Sequence, residues 1–345
     1  MKLMKRFATA ALTFLFLTAL FLGSAAQAGA AEDGKISVVS TTFPQYDWVR
    51  QILGEYADNF ELALLLDNRV DLHSYQPSVD DIVRISTCDL FIYVGGQSDG
   101  WVESALRQAT NPDMIVINLM DLLGDDVKAE EIIEGMEHDD DHGHDDDHDE
   151  AHDHHDDEHD DDDHHECELD EHVWLSLKNA EIFCSAIAEA LSSLNAGDAE
   201  EYRGNLAAYL EKLSALDAEY RAAASGASVK TLLFGDRFPF RYLSDDYGLS
   251  YHAAFPGCSA ETEASFHTIV FLAGKVDELS LKNVMVTESA NQSIAQTIIN
   301  NTRSKDQQIL VLDSMQSVTA NDIQDGASYL SIMEGNLLVL KEALM

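Results

Sequence analysis

The chain has 345 residues, 46% of them hydrophobic, and a formal net charge of −42 at pH 7. That length accommodates two domains of ordinary size or one large one, and the apolar fraction is enough for a real core. A surface this acidic repels phosphate backbones, which argues against nucleic acid as a partner, and it attracts cations.

The first residues read "MKLMKR", then the apolar run "FATAALTFLFLTALFLG", then the small-residue stretch "SAAQAGA". Basic, apolar and small-residue regions in that order make a secretory signal peptide, here residues 1–30, with cleavage expected after Ala28 or Ala30. The first cysteine is Cys88, so no lipid anchor is expected at the N-terminus. No later run approaches the ~20 apolar residues of a membrane span. The mature chain is therefore expected in the periplasm or secreted. In an oxidising compartment Cys88, Cys167, Cys184 and Cys258 allow one or two disulfides, with three full pairings open. Cys88 and Cys258 read equally well as buried small residues. Cys167 borders a metal-attracting segment but is not taken as a ligand.

Beyond the signal the pattern alternates. "KISVVSTTF", "FELALLL", "DLFIYVGG" and "MIVINLM" predict strands. "YDWVRQILGEYA", "SVDDIVRIST" and "WVESALRQA" predict helices, the second opened by a Ser cap. Continuous apolar strands alternating with helices imply a parallel sheet covered on both faces.

Residues 137–166 interrupt the pattern: every one is His, Asp or Glu except Gly143 and Ala151. Such a segment buries nothing, so a disordered insertion is expected. It holds His138, His142, His144, His148, His152, His154, His155, His159, His164 and His165, ten of the chain's 14 histidines. Solvation alone requires charge, not imidazole, so this segment is expected to capture cations weakly.

After it, "LSLKNAEIFCSAIAEALSSL" predicts a helix, and residues 198–226 predict a second, longer one. Asp198 is a candidate N-cap with Glu201 completing a capping box. Tyr202, Leu206, Tyr209, Leu213, Leu216 and Tyr220 form one apolar stripe. At 1.5 Å per residue this helix reaches about 40 Å, long enough to link two lobes. The rhythm then repeats: "VKTLLFG", "LSYHAAF", "NVMVTES" and "QILVLDS" predict strands, with helices between them and one at the C-terminus. The expected architecture is α/β, with two (β/α)4 lobes of parallel sheet. The N-terminal lobe covers 33–197, the linking helix 198–226 and the C-terminal lobe 227–345.

Two further histidines stand apart. His73, in "DLHSYQPS", lies just beyond a strand, where open parallel sheets bind ligands. His172, in "DEHVWL", lies just before a helix.

"DLHSYQPSVDDIVRISTCDLFIYVGG" and "DEHVWLSLKNAEIFCSAIAEAL" resemble the two signature regions of the zinc and manganese solute-binding proteins of ABC importers. "STTFPQYDWVRQILGE" and "GASYLSIMEGNLLVLKEAL" resemble the same family, and the histidine-rich loop resembles that of its zinc-specific members. The resemblance implies two (β/α)4 lobes bridged by a long helix, with one metal ion in the cleft held by His73 and His172. It also implies a third His in a pattern like His-x-Ala-Phe-x-Tyr. Here "RFPFRY" keeps Phe240 and Tyr242 but places Arg237 at the ligand position, and a guanidinium cannot coordinate a cation. Glu288, in "VTES", is the expected substitute, with Asp236 and His252 behind it. Asn291 or Gln292 stands at the fourth position.

The function implied is capture of Zn(II) and its delivery to an ABC permease by a monomer that is not an enzyme. A manganese-specific homologue, a metal buffer or sensor without a transporter, and a zinc hydrolase are the alternatives. No HExxH motif supports the last of these. Deleting residues 137–166 is expected to abolish weak zinc sites and leave one tight site by calorimetry. Unchanged stoichiometry would remove the capture role.

Overall fold

The computed structural model describes residues 34–67, 69–137, 169–259 and 263–345. The expected signal peptide, Cys167 and the ten loop histidines lie outside the described residues. In the N-terminal lobe, β1 (Ile36–Ser40), β2 (Phe60–Leu64), β3 (Leu90–Tyr93) and β4 (Ile115–Asn118) form one sheet in the order β2-β1-β3-β4. In the C-terminal lobe, β5 (Thr231–Phe238), β6 (Ser250–Pro256), β7 (Asn283–Thr287) and β8 (Gln308–Leu312) repeat that order as β6-β5-β7-β8. Every pairing is parallel. In each sheet the chain leaves the first strand in one direction and later returns to its other side. The crevice at that reversal, beyond the strands' carboxyl ends, is where such sheets bind ligands.

The helices begin where side chains satisfy free backbone donors. α1 (Phe43–Leu53) starts three residues before the expected Tyr46. Pro44 sits in its first turn, and Gln45 Oε1 accepts from the backbone N–H groups of Thr41 and Thr42 at 3.0 and 3.1 Å. α2 (Val79–Thr87) opens on Ser78, with Asp81 completing the box. α3 (Val102–Leu106) is shorter than expected. The predicted strand "MIVINLM" stops at Asn118, whose side chain accepts from Met120 and Asp121 and turns the chain into α4 (Leu119–Leu123).

α5 (Leu177–Leu194) is capped by Ser176. The linking helix is α6 (Ala199–Gly226), 28 residues long. Its stripe is buried at Tyr202, Tyr209, Leu213, Leu216 and Tyr220, with Leu206 half-buried. The capping box expected at its start is not formed: Asp198 makes no side-chain cap and instead accepts from the Asn195 amide at 2.8 Å. In the second lobe follow α7 (Arg241–Tyr247), α8 (Phe266–Leu279), α9 (Ser293–Asn301), α10 (Ala320–Gln324) and α11 (Tyr329–Ala343). Among the described residues no helix is long and apolar enough to cross a membrane.

The lobes are joined by more than α6. α6 packs on α1 and α5 of the first lobe and on α7 and α11 of the second, and α11 itself reaches back to α1. Tyr329, at the start of α11, is fully buried. Its N–H donates to Asp47 Oδ2 of α1 at 2.9 Å, its hydroxyl donates to the Trp174 carbonyl at 2.8 Å, and its ring meets Trp48 edge-on. Trp174 Nε1 in turn donates to the Ser314 carbonyl beyond β8 at 2.9 Å. One apolar cluster runs through both lobes, from Val38 and Trp48 to Phe234 and Leu340. Tyr329→Phe leaves the buried Trp174 carbonyl without its donor and should lower stability by about 1–2 kcal/mol. A reduced urea midpoint with an unchanged denaturant slope is the expected observation.

Candidate metal centre

His73 sits in a single 3₁₀ turn, Leu72–Ser74, beyond β2. Asp71 caps the turn, its Oδ1 accepting from the His73 N–H at 3.0 Å. His172 closes the segment leading into α5 and is fully buried beside Trp174. The two imidazoles, 99 positions apart in sequence, face one another with Nε2 to Nε2 at 3.2 Å.

The opposite edge of each ring is held by a carboxylate. His172 Nδ1 is 3.0 Å from Asp170 Oδ1, which also accepts the His172 N–H at 2.9 Å. His73 Nδ1 lies 2.8 Å from Ser98 Oγ and 3.3 Å from Glu171 Oε2. An ionised carboxylate only accepts, so Asp170 favours the proton on His172 Nδ1 and leaves the Nε2 lone pair of that ring facing His73. Two ring nitrogens facing at this distance can share a proton or a metal ion. Two nitrogens bound tetrahedrally to zinc at 2.0–2.1 Å stand about 3.3 Å apart, which is the spacing found.

The tripeptide Asp170–Glu171–His172 thus supplies one imidazole and the orienting carboxylate for each of the two. Burial acting alone would raise the Glu171 carboxyl, but hydrogen bonds from His73 and Ser98 hold it below its ordinary value. Glu171 Oε1 accepts the Ser98 N–H at 2.8 Å, and Gly96 lets it approach: a Cβ there would lie 2.4 Å from that oxygen. Asp99 receives the Val94 and Gly95 N–H groups, and burial, with the Glu171 charge as a lesser contribution, pushes it up to about 6. Tyr242 of α7 donates to the Asp170 carbonyl at 2.9 Å and accepts from the Lys128 N–H at 3.0 Å, so the second lobe holds the orienting loop of the first.

The Arg237 guanidinium is engaged by other groups. β5 accommodates an extra residue against β6 between Phe234 and Arg237, a bulge that re-aims the side chain. Its guanidinium donates to Asp71 Oδ2 at 2.6 Å and to the Ser259 carbonyl at 3.3 Å. Burial opposes ionisation of Asp71, but the charge and hydrogen bond of Arg237, together with His73, hold the carboxyl below its ordinary value. A cavity of about 340 Å³ opens beside His73, lined also by Asp71, Arg237, Asp236, Phe255 and Asn291.

Glu288 stands at the end of β7, as the strand pattern implied, but its oxygens are engaged elsewhere. They accept from the Ser314 N–H and hydroxyl, the Gln316 N–H and the Ser317 hydroxyl. Among the described residues Glu288 does not join a group able to hold a metal. Asp313 beside it is pushed up to about 7 by burial first and by the Glu288 charge second. Asp236 accepts from the Thr287 N–H and hydroxyl, which ties β5 to β7. His252 lies within β6, against the Phe271 ring. Asn291 accepts from Ser293 at the start of α9.

The group that the structure does assemble is His73, His172 and Cys258, whose ligand atoms all lie within 4.8 Å of one another. Cys258 follows β6 by two residues, a relation no sequence spacing reveals. Burial pushes its thiol up, and the charges of Glu130, Asp170 and Glu171 add to that. Cys88, Cys184 and Cys258 are free, and the first two are buried.

A two-lobed α/β protein that aims two imidazoles at one point beyond its strand ends belongs to the metal-binding class. The family model described as ZnuA, zinc-uptake complex component A, periplasmic, matches residues 38–343. The chain belongs to that family. It is 31% identical over 326 residues to the zinc-binding lipoprotein AdcA of Streptococcus pneumoniae, covering 94% of this chain and 59% of that protein. It therefore spans a little over half the length of that streptococcal relative. With the high-affinity zinc uptake system protein ZnuA of Bacillus subtilis it shares 29% identity, covering 96% and 95% of the two chains. The crystal structure of the Zn(II)-bound ZnuA-like domain of S. pneumoniae AdcA superposes with a TM-score of 0.66 at 27% identity, covering 90% of this chain and 99% of that one.

Asp170→Asn keeps the shape of the orienting group and removes its charge. It should weaken zinc binding by about 10–100-fold in competition with a chelating dye, the usual effect of losing a partner behind a ligand. Wild-type affinity in that variant would mean that Asp170 does not set the ring.

Proposed function

We propose that this chain captures one Zn(II) ion between its lobes through His73 and His172 and passes it, outside the cytoplasm, to the permease of an ABC importer. The observation that carries the reading is the 3.2 Å approach of two Nε2 atoms whose rings are held from behind by Asp170 and Glu171. That arrangement has the donor type, spacing and negative surroundings of a divalent-cation site. Imidazole pairs suit zinc better than manganese, which prefers oxygen, so zinc is the cargo favoured over manganese. Family membership and the zinc-binding names of the relatives support the same choice. In this reading the acidic-histidine segment raises the local cation concentration. Interlobe contacts at Tyr242, Trp174 and Tyr329 limit lobe movement, so release follows from local rearrangement on docking.

His73→Ala and His172→Ala should each weaken zinc binding by about a hundredfold or more, about 2.7 kcal/mol, while His252→Ala should leave it unchanged. Titration calorimetry on the full chain reads both, with one tight ion per wild-type chain. Equal affinity in wild type and both site variants would overturn the assignment. Delivery is tested in cells lacking the chain. Zinc-limited growth should return with the wild type and not with His172→Ala; equal rescue would remove the transport role.

A further inference from the structure

We propose that the third ligand of the ion is the thiolate of Cys258, making the centre a His2Cys site. The proposal rests on the reading of His73 and His172 as ligands and goes on to say what completes their coordination. Three observations carry it. First, the sulfur and one nitrogen of each ring lie within 4.8 Å of one another, and among the described residues no other group of such side chains does so. Tetrahedral zinc with sulfur at 2.3 Å and nitrogen at 2.0–2.1 Å separates them by about 3.6 Å, so the site closes with a movement of about 1.2 Å at most.

Second, the backbone around Cys258 is fixed from both sides. Its N–H donates to Glu130 Oε1 at 2.8 Å, and the carbonyl of Ser259 accepts from Arg237 at 3.3 Å. The guanidinium that cannot bind a cation therefore positions the residue that can. Its other arm is spent on Asp71 of the opposite lobe, which keeps its charge off the ion. Third, Gly257 lets the strand end pass directly beneath the ring of His172. A Cβ there would lie 3.2 Å from His172 Cε1 and 2.9 Å from the Phe238 carbonyl. A larger residue would push Cys258 out of reach.

Charge is consistent with the assignment. Two neutral imidazoles and one thiolate leave a zinc ion with one positive charge, and Glu130, Asp170 and Glu171 surround the sulfur. A soft sulfur ligand selects zinc over manganese, so Cys258 determines cargo class as well as affinity.

The test uses the full chain, stripped of metal and kept reduced, with Co(II) as a spectroscopic probe. A thiolate-to-cobalt charge-transfer band is expected in the near ultraviolet. It should persist in Cys167→Ser, the control for the thiol nearest His172 in sequence, and vanish in Cys258→Ser. Cys258→Ser should also weaken zinc binding by about tenfold or more. On the wild type, zinc should slow alkylation of Cys258 mapped by mass spectrometry, with buried Cys88 and Cys184 unreactive throughout; this readout does not depend on the variant folding. Bound cobalt with visible bands but no charge-transfer band would overturn the thiolate and leave the histidine pair standing. So would a band and affinity unchanged in Cys258→Ser, or alkylation indifferent to zinc. Absence of any cobalt or zinc binding would overturn both this proposal and the reading beneath it.

Discussion

The candidate centre depends on one constraint: the Nδ1 of one imidazole is held by Asp170 and that of the other by Ser98 with Glu171 behind it, so the two Nε2 atoms face one another. Asp170 holds His172 and Glu171 holds His73. The His172 ring cannot rotate without abandoning the buried Asp170 carboxylate, nor the His73 ring without abandoning Ser98 and the Glu171 charge. Leaving such a carboxylate unpaired costs far more than the net gain from an ordinary hydrogen bond. In the proposed site a cation between the rings would join the two nitrogens. Binding strength there would be built into the orienting groups as much as into the proposed ligands.

The same economy governs the lobes. The proposed site draws on both lobes, whose sheets share one strand order, so its geometry would require their relative position to be held. Tyr242 hydrogen-bonds the Asp170 carbonyl, Arg237 pairs with Asp71, and Trp174 and Tyr329 exchange hydrogen bonds with the opposite half. The buried cluster that runs through both lobes adds a packed interior, which resists smooth deformation.

Most of the fold was legible because continuous apolar strands leave little ambiguity about where a parallel sheet runs. The misplaced boundaries share one cause. Gln45 reaching back and Asn118 reaching forward are local hydrogen bonds that start helices inside what reads as strand. The Asp198 and Glu201 pair has the spacing of a capping box, yet Asn195 takes the Asp198 carboxylate instead. Propensity shows where a cap is able to form, whereas competing partners decide whether it does.

By itself the sequence determined the two-lobed α/β plan, the linking helix and the two histidines, because apolar periodicity and contiguous motifs are properties of the chain's local order. It also showed that Arg237 could not be a ligand, since that follows from the chemistry of the guanidinium alone. Only the tertiary structure shows which side chain comes near the two rings. Glu288 stands at the expected strand end but turns to the donors of Ser314, Gln316 and Ser317. Cys258, 86 positions beyond His172, is carried to the rings by the end of β6. Which side chain meets a given point across a cleft is set by sheet register, a bulge and glycine clearance, and none of these is encoded in the spacing of the residues that finally converge.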